Sequence, residues 1–286
     1  MPAYVPSVAL RPDDLPTPGD WQELYAFVHT FAGYANFEMH APEGLELRER
    51  YEARGPDALT LDELRGLAFI TQRAHYHQGG AYPGGPDRLM ERMWALAEAV
   101  GARLRRDGPP ALGVAGGALT QLRVDAVVNA ANPALAGGSG VDGAVHEAAG
   151  PELAAACRAL PEVAPGVRCP VGEARVTPGF ALPAAWVVHA VGPRWRGGAS
   201  GEPEALASAY TRSLSAAYAV GAETVAVPAL STGAYGYPAD LAAGVAVRSV
   251  RAWHAHTPLP RVALVGFDLD ATRALRAAVG ASEATG

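Results

Sequence analysis

Cysteine is scarce in this sequence, which limits the crosslinks and metal sites that the chain can form. Only Cys157 and Cys169 occur among 286 residues, and neither lies in a Cys-x-x-Cys or Cys/His pattern. This spacing argues against a disulfide framework and against a structural zinc site. So few cysteines fit a reducing compartment, and we expect the protein in the cytoplasm.

Clustered positive charge is also missing. The formal net charge is −6, the sequence pI is about 5.8, and no basic run is longer than Arg105-Arg106. A nucleic-acid-binding surface needs concentrated positive charge, so nucleic acid is not the expected partner. The acidic balance still permits an anionic small ligand, because backbone amides bind phosphate without net positive charge.

Long apolar runs are absent as well. No stretch reaches membrane-spanning length, and the start of the chain, MPAYVPSVALRPDD, lacks a basic segment followed by an apolar one. We therefore expect neither export nor membrane anchoring. Apolar residues make up 49% of the chain and charged residues 18%, which is typical of a folded globular protein, and the length predicts two folding units.

The first hundred residues have the pattern of helices. Thr60 and Glu63 have the spacing of a capping box, which predicts a helix that begins there and runs toward Phe69. Two further apolar stripes have helical spacing, one comprising Leu24, Phe27, Val28 and Phe31 after a turn at 18–20, the other Leu89, Met93, Leu96, Val100 and Leu104. The breaker sequence DGPP ends the last stripe. We predict a mostly helical domain of unknown role over residues 1–106.

After that boundary, short apolar runs alternate with helical stretches, which is typical of α/β layering around a mainly parallel sheet. The runs are apolar throughout, as in strands that helices cover on both faces, and they are Ala111–Ala115, Asp125–Asn129, Trp186–Ala190, Thr224–Val227 and Val262–Val265. The predicted helices are Val141–Ala156, Glu202–Val220, Ala239–His256 and Ala271–Val279. Ligands of such sheets lie beyond the carboxyl ends of the strands, so the loops there are the candidate site.

The first of these loops links a buried strand to a helix and is rich in glycine. The segment VDAVVNAAN, residues 124–132, ends in two asparagines and is followed by GGSGVDG, residues 137–143. Glycine lets backbone amides approach an anion, and a helix N-terminus adds partial positive charge. We interpret the segment as a diphosphate-binding loop. Its glycine spacing differs from that of the dinucleotide-binding GxGxxG motif.

The second loop, ALSTGAYGYP at residues 229–238, also joins a buried strand to a helix. Ser231, Thr232 and the two glycines supply hydrogen-bond donors for phosphate, and Tyr235 is placed to cover a sugar face. Two such loops on adjacent strand ends predict a diphosphate that bridges them.

The segments VDAVVNAANPALAGGSGVDGAVHEAAG and ALSTGAYGYP resemble the two loops that mark macrodomains, specifically the MacroD-type ADP-ribose hydrolases, and the intervening GEARVTPGFALPAAWVVHAVGP is similar to that family too. The resemblance covers residues 110–286. It implies a three-layer α/β/α macrodomain with a mainly parallel, mixed central sheet, preceded here by the small helical domain. It also implies an enzyme that hydrolyses ester-linked ADP-ribose, either O-acetyl-ADP-ribose or mono-ADP-ribosylated Asp and Glu side chains.

The resemblance further implies roles for individual residues. Asn132 matches the residue that orients the distal ribose, and Asp142 matches the acidic residue implicated in hydrolysis, so both are candidate catalytic residues. Either Asp142 or a substrate phosphate activates the water, and both routes stay open. The expected ligand-binding residues are Asn129, Ala130, Gly138, Ser139, Gly140, Val141, Ser231, Thr232, Gly233, Ala234, Tyr235 and Phe267, the last of them against adenine.

The sequence departs from the family in two places. Ala118 stands where the family has an acidic residue that accepts a hydrogen bond from the adenine amino group, and Ser139 stands where glycine is common. A hydrogen bond to a charged acceptor contributes roughly 1.5 to 3 kcal/mol, so adenine recognition is expected to be altered. The Cys and His residues of the zinc-dependent branch are absent from the first loop, and we expect neither metal nor cofactor.

Histidines near these loops have structural interpretations. His146 follows Asp142 by four residues and so shares its helix face, where we assign it to packing. His189 lies within an apolar strand and is interpreted as a core histidine with satisfied hydrogen bonds. His75, Tyr76 and His77 are assigned to a helix terminus, because no carboxylate or cysteine lies at ligand spacing.

Two other functions remain in view. The chain could be a non-catalytic module that recognises ADP-ribose or a related nucleotide diphosphate, or a structural domain with a vestigial pocket. Asn132 and Asp142 favour the enzyme, whereas Ala118 favours altered ligand choice.

Overall fold

The structure is a computed structural model that describes residues 5–11, 14–17, 23, 24, 27, 28, 42–77, 85–257 and 259–283. The chain divides into two units, Met1–Pro110 and Ala111–Gly286. Each unit has a buried apolar core of its own. Within the described ranges, none of the helices has the length and apolar character that crossing a membrane requires.

In the first unit, the described residues include α1 (Pro42–Arg54), α2 (Leu61–His77) and α3 (Gly85–Asp107). The capping box is confirmed, since the Thr60 amide donates to the Glu63 carboxylate at 2.8 Å and the Glu63 amide donates to Thr60 Oγ1 at 3.2 Å. The predicted stripe along α3 is buried, and α3 ends at the breaker sequence as expected. Leu24, Phe27 and Val28 are helical and buried, whereas Phe31 and the turn at 18–20 lie outside the described residues.

The second unit is built on one six-stranded sheet with the order β1-β6-β5-β2-β4-β3. All neighbouring strands are parallel except β3 and β4, which are antiparallel. The strands are β1 (Leu112–Gly116), β2 (Ala126–Ala130), β3 (Ala174–Pro178), β4 (Trp186–Ala190), β5 (Thr224–Pro228) and β6 (Arg261–Gly266). The helices that follow the first unit are α4 (Gly140–Ala149), α5 (Pro151–Ala159), α6 (Glu202–Ala219), α7 (Ala239–His254) and α8 (Leu269–Glu283).

Helices cover both faces of this sheet. Apolar side chains of α6, α7 and α8 pack in one cluster with alternate strand residues such as Val128, Val188 and Leu264. α4 and α5 contact the sheet through β2 and β3. Burial on both faces explains why the central strands are apolar throughout. The predicted three-layer α/β/α architecture with a mainly parallel, mixed sheet is confirmed.

Two elements differ from the sequence expectations. β3 was not predicted, because it is an edge strand whose residues are mostly half-buried and so lack a continuous apolar run. The single helix predicted over 141–156 is two helices. Gly150 has a φ of 87° and ends α4, and Pro151 begins α5, which is the usual placement of glycine after a helix and proline at a helix start.

Candidate active site

A cleft of about 490 Å³ lies over the carboxyl ends of β6, β5, β2 and β4. Open parallel sheets bind ligands at this edge, because the loops that follow neighbouring strands meet there. The walls are the loop from β2 to α4, the loop from β5 to α7, and short segments after β4 and β6.

The loop from β2 to α4 is closed by Asn132 and depends on two glycines. Asn132 Nδ2 donates to the Gly137 carbonyl oxygen at 2.8 Å, which fixes the turn. A Cβ atom on Gly138 would lie 3.0 Å from Asp142 Oδ2, and one on Gly143 would lie 2.6 Å from the Gly138 carbonyl oxygen. Side chains at these positions would therefore displace either the backbone or the carboxylate. The N-terminus of α4 consequently faces the cleft with little steric cover.

The loop from β5 to α7 contains a serine with a positive φ and a buried hydroxyl group. Ser231 has a φ of 69° and is 8% exposed, and within the described part of the chain its hydroxyl has no hydrogen-bond partner. A left-handed non-glycine residue and an unpaired buried hydroxyl are both unfavourable, and such features concentrate at ligand sites. Gly192, after β4, has no room for a Cβ atom because Ser231 Oγ occupies that space.

Asp142 places a buried carboxylate at the wall of the cleft. It is 5% exposed, and its Oδ1 accepts a hydrogen bond of 2.7 Å from Asn129 Nδ2. Asn132 Nδ2 lies 3.4 Å from Oδ2, and His146 Nε2 lies 3.6 Å from Oδ1. Burial raises the pKa of Asp142, and the hydrogen bond from Asn129 partly opposes that rise. The group is therefore a better proton acceptor than an exposed aspartate.

Behind Asp142, a chain of buried polar groups extends into the face covered by α4 and α5. Asn129 Nδ2 lies 3.2 Å from His189 Nδ1, and His189 Nε2 lies 2.9 Å from Thr177 Oγ1. Burial lowers the pKa of His189 to about 3, so its imidazole is neutral at physiological pH. Because Asn129 Nδ2 only donates, Nδ1 of His189 accepts and its proton resides on Nε2. Asn129 is thus held between two acceptors, one of which is Asp142.

Both cysteines are also buried in this unit. Cys157 Sγ lies 3.6 Å from His189 Nε2, and Cys169 Sγ lies 3.7 Å from the His189 carbonyl oxygen. Burial raises the pKa of each thiol to about 11, so neither is an active nucleophile near neutral pH.

Comparison with known proteins places this arrangement in a family. Residues 128–246 match the Macro domain family model. A macro domain-containing protein of Xanthomonas campestris is 49% identical over 168 residues, which are 58% of this chain and 94% of that protein. The chain belongs to the macro domain family.

Two further macrodomain relatives bear on the site. The O-acetyl-ADP-ribose deacetylase of Klebsiella pneumoniae is 50% identical over 153 residues, which are 53% of this chain and 86% of that protein. The Oceanobacillus iheyensis macrodomain with ADP superposes with a TM-score of 0.58 at 33% identity, covering 61% of this chain and 92% of that one.

Within the macrodomain, nearly all the predicted site residues line one cleft. These are Ala130, Asn132, Gly138, Ser139, Gly140, Val141, Asp142, Ser231, Thr232, Gly233, Ala234, Tyr235 and Phe267. The hydroxyl of Thr232 is engaged, since it donates to the Ala229 carbonyl oxygen at 2.9 Å. Ser139 caps α4 without a side-chain hydrogen bond to the helix, so its hydroxyl remains available.

Asn129 requires a correction. It was expected to contact the ligand, but it is fully buried and does not line the cleft. Side chains alternate across a strand, and Asn129 points into the layer beneath α4 and α5, where it meets Asp142 and His189. It contacts the candidate catalytic carboxylate and not the cleft.

Sequence reasoning missed the segment after β4, which supplies Gly192 and Arg194 to the cleft. Arg194 lies over Tyr235, with its guanidinium carbon 4.6 Å from the ring centroid. The position of β4 could have indicated these residues. β4 was predicted, and its carboxyl end lies at the same sheet edge as those of β2 and β5.

The end of the cleft beside β6 is lined by Val265, Phe267 and Ala271, together with the acidic Asp268. Phe267 is 72% exposed at its rim, and a recess of about 60 Å³ adjoins it, lined by Ala118, Thr120 and Val141 among others. Within the described part of the chain, none of the side chains that line this recess is charged. With Ala118 at this position, the recess has no acidic side chain to accept a hydrogen bond from an adenine amino group.

Proposed function

We propose that this macrodomain binds ADP-ribose and hydrolyses ester bonds to it. The observation that carries the proposal is the placement of the Asp142 carboxylate beside Asn132, at the wall of a cleft bounded by two glycine-containing loops. In this arrangement the two loops bind the diphosphate of the ligand, and the Asp142 carboxylate lies beside the part of the ligand that reacts.

Binding follows from the donors on the two loops. The N-terminus of α4 adds partial positive charge, and Ser231 Oγ is a buried polar group without a partner among the described residues until a ligand arrives. The relative from Oceanobacillus iheyensis, a macrodomain with ADP, supports a nucleoside diphosphate as the ligand. Phe267 and the apolar recess supply a surface for the base, and Tyr235 one for the distal ribose.

The reaction is a hydrolysis in which water supplies a hydroxyl group to one product and a proton to the other. The ester C–O bond breaks and leaves free ADP-ribose and a carboxylic acid. Asp142 orients the water, accepts its proton and returns a proton to the departing oxygen, and Asn132 orients the distal ribose. The name of the Klebsiella pneumoniae relative, a deacetylase of O-acetyl-ADP-ribose, supports this reaction class.

The first experiment is a calorimetric titration of the full chain with ADP-ribose, with ADP and ribose 5-phosphate titrated in parallel. We expect micromolar binding of ADP-ribose and much weaker binding of ribose 5-phosphate. Absence of binding by every one of these ligands would refute the assigned pocket.

The second experiment separates the enzyme from the alternative, a non-catalytic binding module. We expect the wild-type protein to release ADP-ribose from O-acetyl-ADP-ribose, and Asp142→Ala to lose that activity while it still binds ADP-ribose. Binding without turnover by the wild-type protein would establish the module, and full turnover by Asp142→Ala would remove Asp142 from the mechanism.

A further inference from the structure

Two arginines follow β4 on one short segment beside the cleft. Arg194 and Arg196 are both exposed, and the guanidinium carbon of Arg194 lies 4.6 Å from the Tyr235 ring centroid. In the described part of the chain, neither guanidinium has a carboxylate within ion-pair distance. Glu202, the acidic residue nearest in sequence, uses its carboxylate to accept backbone amides of Arg196, Gly198 and Ser200 at 2.8, 3.1 and 2.6 Å.

The segment that carries the arginines is firmly held. Glu202 is only 3% exposed, and its three hydrogen bonds fix the backbone from residue 196 to residue 200. The Trp195 amide donates to the Tyr235 carbonyl oxygen at 2.8 Å, and the Trp195 ring packs on Tyr237 with a centroid distance of 4.4 Å. The backbone that carries both arginines is therefore fixed, and the Arg194 guanidinium is also held against Tyr235, which lowers the entropy cost of binding an anion there.

The strand order locates Arg194 at the reactive end of the cleft, and Arg196 follows two residues later on the same segment, outside the residues that line the cleft. The cleft extends over the ends of β6, β5, β2 and β4 in that order. Phe267 follows β6 and Arg194 follows β4, so they lie at opposite ends. Asn132 and Asp142 follow β2, which is the direct neighbour of β4. The group joined to the distal ribose must leave the cleft on this side.

We propose that Arg194 and Arg196 make the enzyme prefer ADP-ribosyl esters of acidic protein segments over esters of small uncharged acyl groups. The inference rests on the proposed ester hydrolysis. A chain of net charge −6 repels an acidic partner at long range, so recognition of one needs local cations. The planar guanidinium binds carboxylates through paired hydrogen bonds, and it does so best when its orientation is already fixed, as that of Arg194 is by Tyr235.

The test compares three substrates: O-acetyl-ADP-ribose, a peptide ADP-ribosylated on one glutamate with acidic neighbours, and the same peptide with neutral neighbours. The variants are Arg194→Gln, Arg196→Gln, the double variant, and Arg158→Gln as a matched loss of charge on α5, outside the cleft. We expect the double variant to lose about tenfold in kcat/KM on the acidic peptide, the combined effect of two exposed ion pairs. Arg196 does not line the cleft, so the kcat/KM of Arg196→Gln on the other two substrates, and its Kd for ADP-ribose, should change less than about twofold.

Further measurements identify the source of any effect. Arg194→Lys should keep only part of the preference, since it keeps the charge but loses the paired hydrogen bonds of the guanidinium. Higher salt should reduce the wild-type preference because it screens exposed charges. Equal losses on all three substrates together with weaker ADP-ribose binding would assign the arginines to the ligand diphosphate and overturn the inference. A double variant that keeps the wild-type kcat/KM on each of the two peptides would overturn the inference as well.

The inference can fail separately from the proposed function. If the wild-type protein cleaves none of the esters but binds ADP-ribose, the hydrolysis proposal fails. Binding of the same two peptides, carrying ADP-ribose through a non-hydrolysable linkage, then decides the arginine proposal alone. A wild-type preference for the acidic peptide that the double variant lacks would support it, and equal affinities would refute it.

Discussion

The Asp142 carboxylate is buried, so its negative charge is poorly solvated. Burial of this charge lowers the stability of the folded protein. Burial raises the pKa of Asp142 in the folded protein above the value in the unfolded chain. Above both pKa values the folded state therefore carries a charge that the unfolded state holds more favourably, and stability rises as pH falls through the folded pKa. Reactive groups commonly have this effect on their own folds.

We expect Asp142→Asn to stabilise the protein at pH 7 by about 1 kcal/mol, because it removes that charge. The gain should shrink as pH falls through the raised pKa. Thermal unfolding between pH 8 and pH 5 measures the trend. Asp270→Asn, whose side chain is 93% exposed, serves as the control and should change stability little. A destabilised Asp142→Asn at pH 7 would show that the hydrogen bond to Asn129 outweighs the burial of charge.

Asn129 determines how Asp142 titrates. Its side chain donates to Oδ1 and stabilises the charged carboxylate, so Asn129→Leu should raise the pKa of Asp142 further. We expect the acid limb of the kcat profile to move to higher pH, so that kcat falls at pH values on that limb. The Kd for ADP-ribose should stay within about threefold, because Asn129 does not line the cleft. An unchanged acid limb would separate Asn129 from the reaction.

At this scale, the sequence located the residues of the cleft loops but did not give the direction of each side chain. The resemblance pointed to Asn132 and Asp142, and both line the cleft. Asn129 was grouped with them, although it is still within β2 and its side chain points beneath α4. Arg194 was missed because neither predicted loop includes the segment after β4, although Gly192, Gly197 and Gly198 flank it.

The element that matters most for ligand binding is the junction of the β2 loop with α4. Gly143 lies in the first turn of α4, and a Cβ atom there would meet the Gly138 carbonyl oxygen at 2.6 Å. We expect Gly143→Ala to push the loop away from the helix, to weaken ADP-ribose binding at least tenfold, and to destabilise the fold by about 1 to 3 kcal/mol.

Gly280→Ala is the matched control for that variant. Gly280 lies in α8 with no atom within 4 Å of an added Cβ, so alanine should be neutral or stabilise the helix by about 0.5 to 1 kcal/mol. Calorimetric titration and thermal unfolding of both variants provide the comparison. Wild-type affinity in Gly143→Ala would show that the loop adapts without loss of binding.

Element boundaries were predicted best where burial is uniform. β4 was predicted at its observed bounds, and the other central strands differ by one residue at either end, because an apolar run between turns admits few alternatives. β3 escaped notice as a half-buried edge strand, and the break between α4 and α5 depends on the left-handed conformation of Gly150, which periodicity alone does not register.

The whole chain has two cores, and we propose that the boundary at residues 107–110 separates two independently folding domains. A fragment of residues 108–286 should unfold cooperatively and bind ADP-ribose with the affinity of the full chain, since every residue that lines the cleft belongs to the second unit. Titration of both proteins checks this. A clear loss of affinity in the fragment would assign residues 1–107 a part in the site.

The burial of both thiols makes the chain suitable for chemical labelling. Cys157 and Cys169 have no exposed surface, so a maleimide should modify the native protein only during global opening of the macrodomain core. A cysteine introduced at Phe267 would be the one rapidly labelled thiol, and a dye attached there would report occupancy of the cleft. Slow modification of the two native cysteines would meanwhile measure how often the core opens.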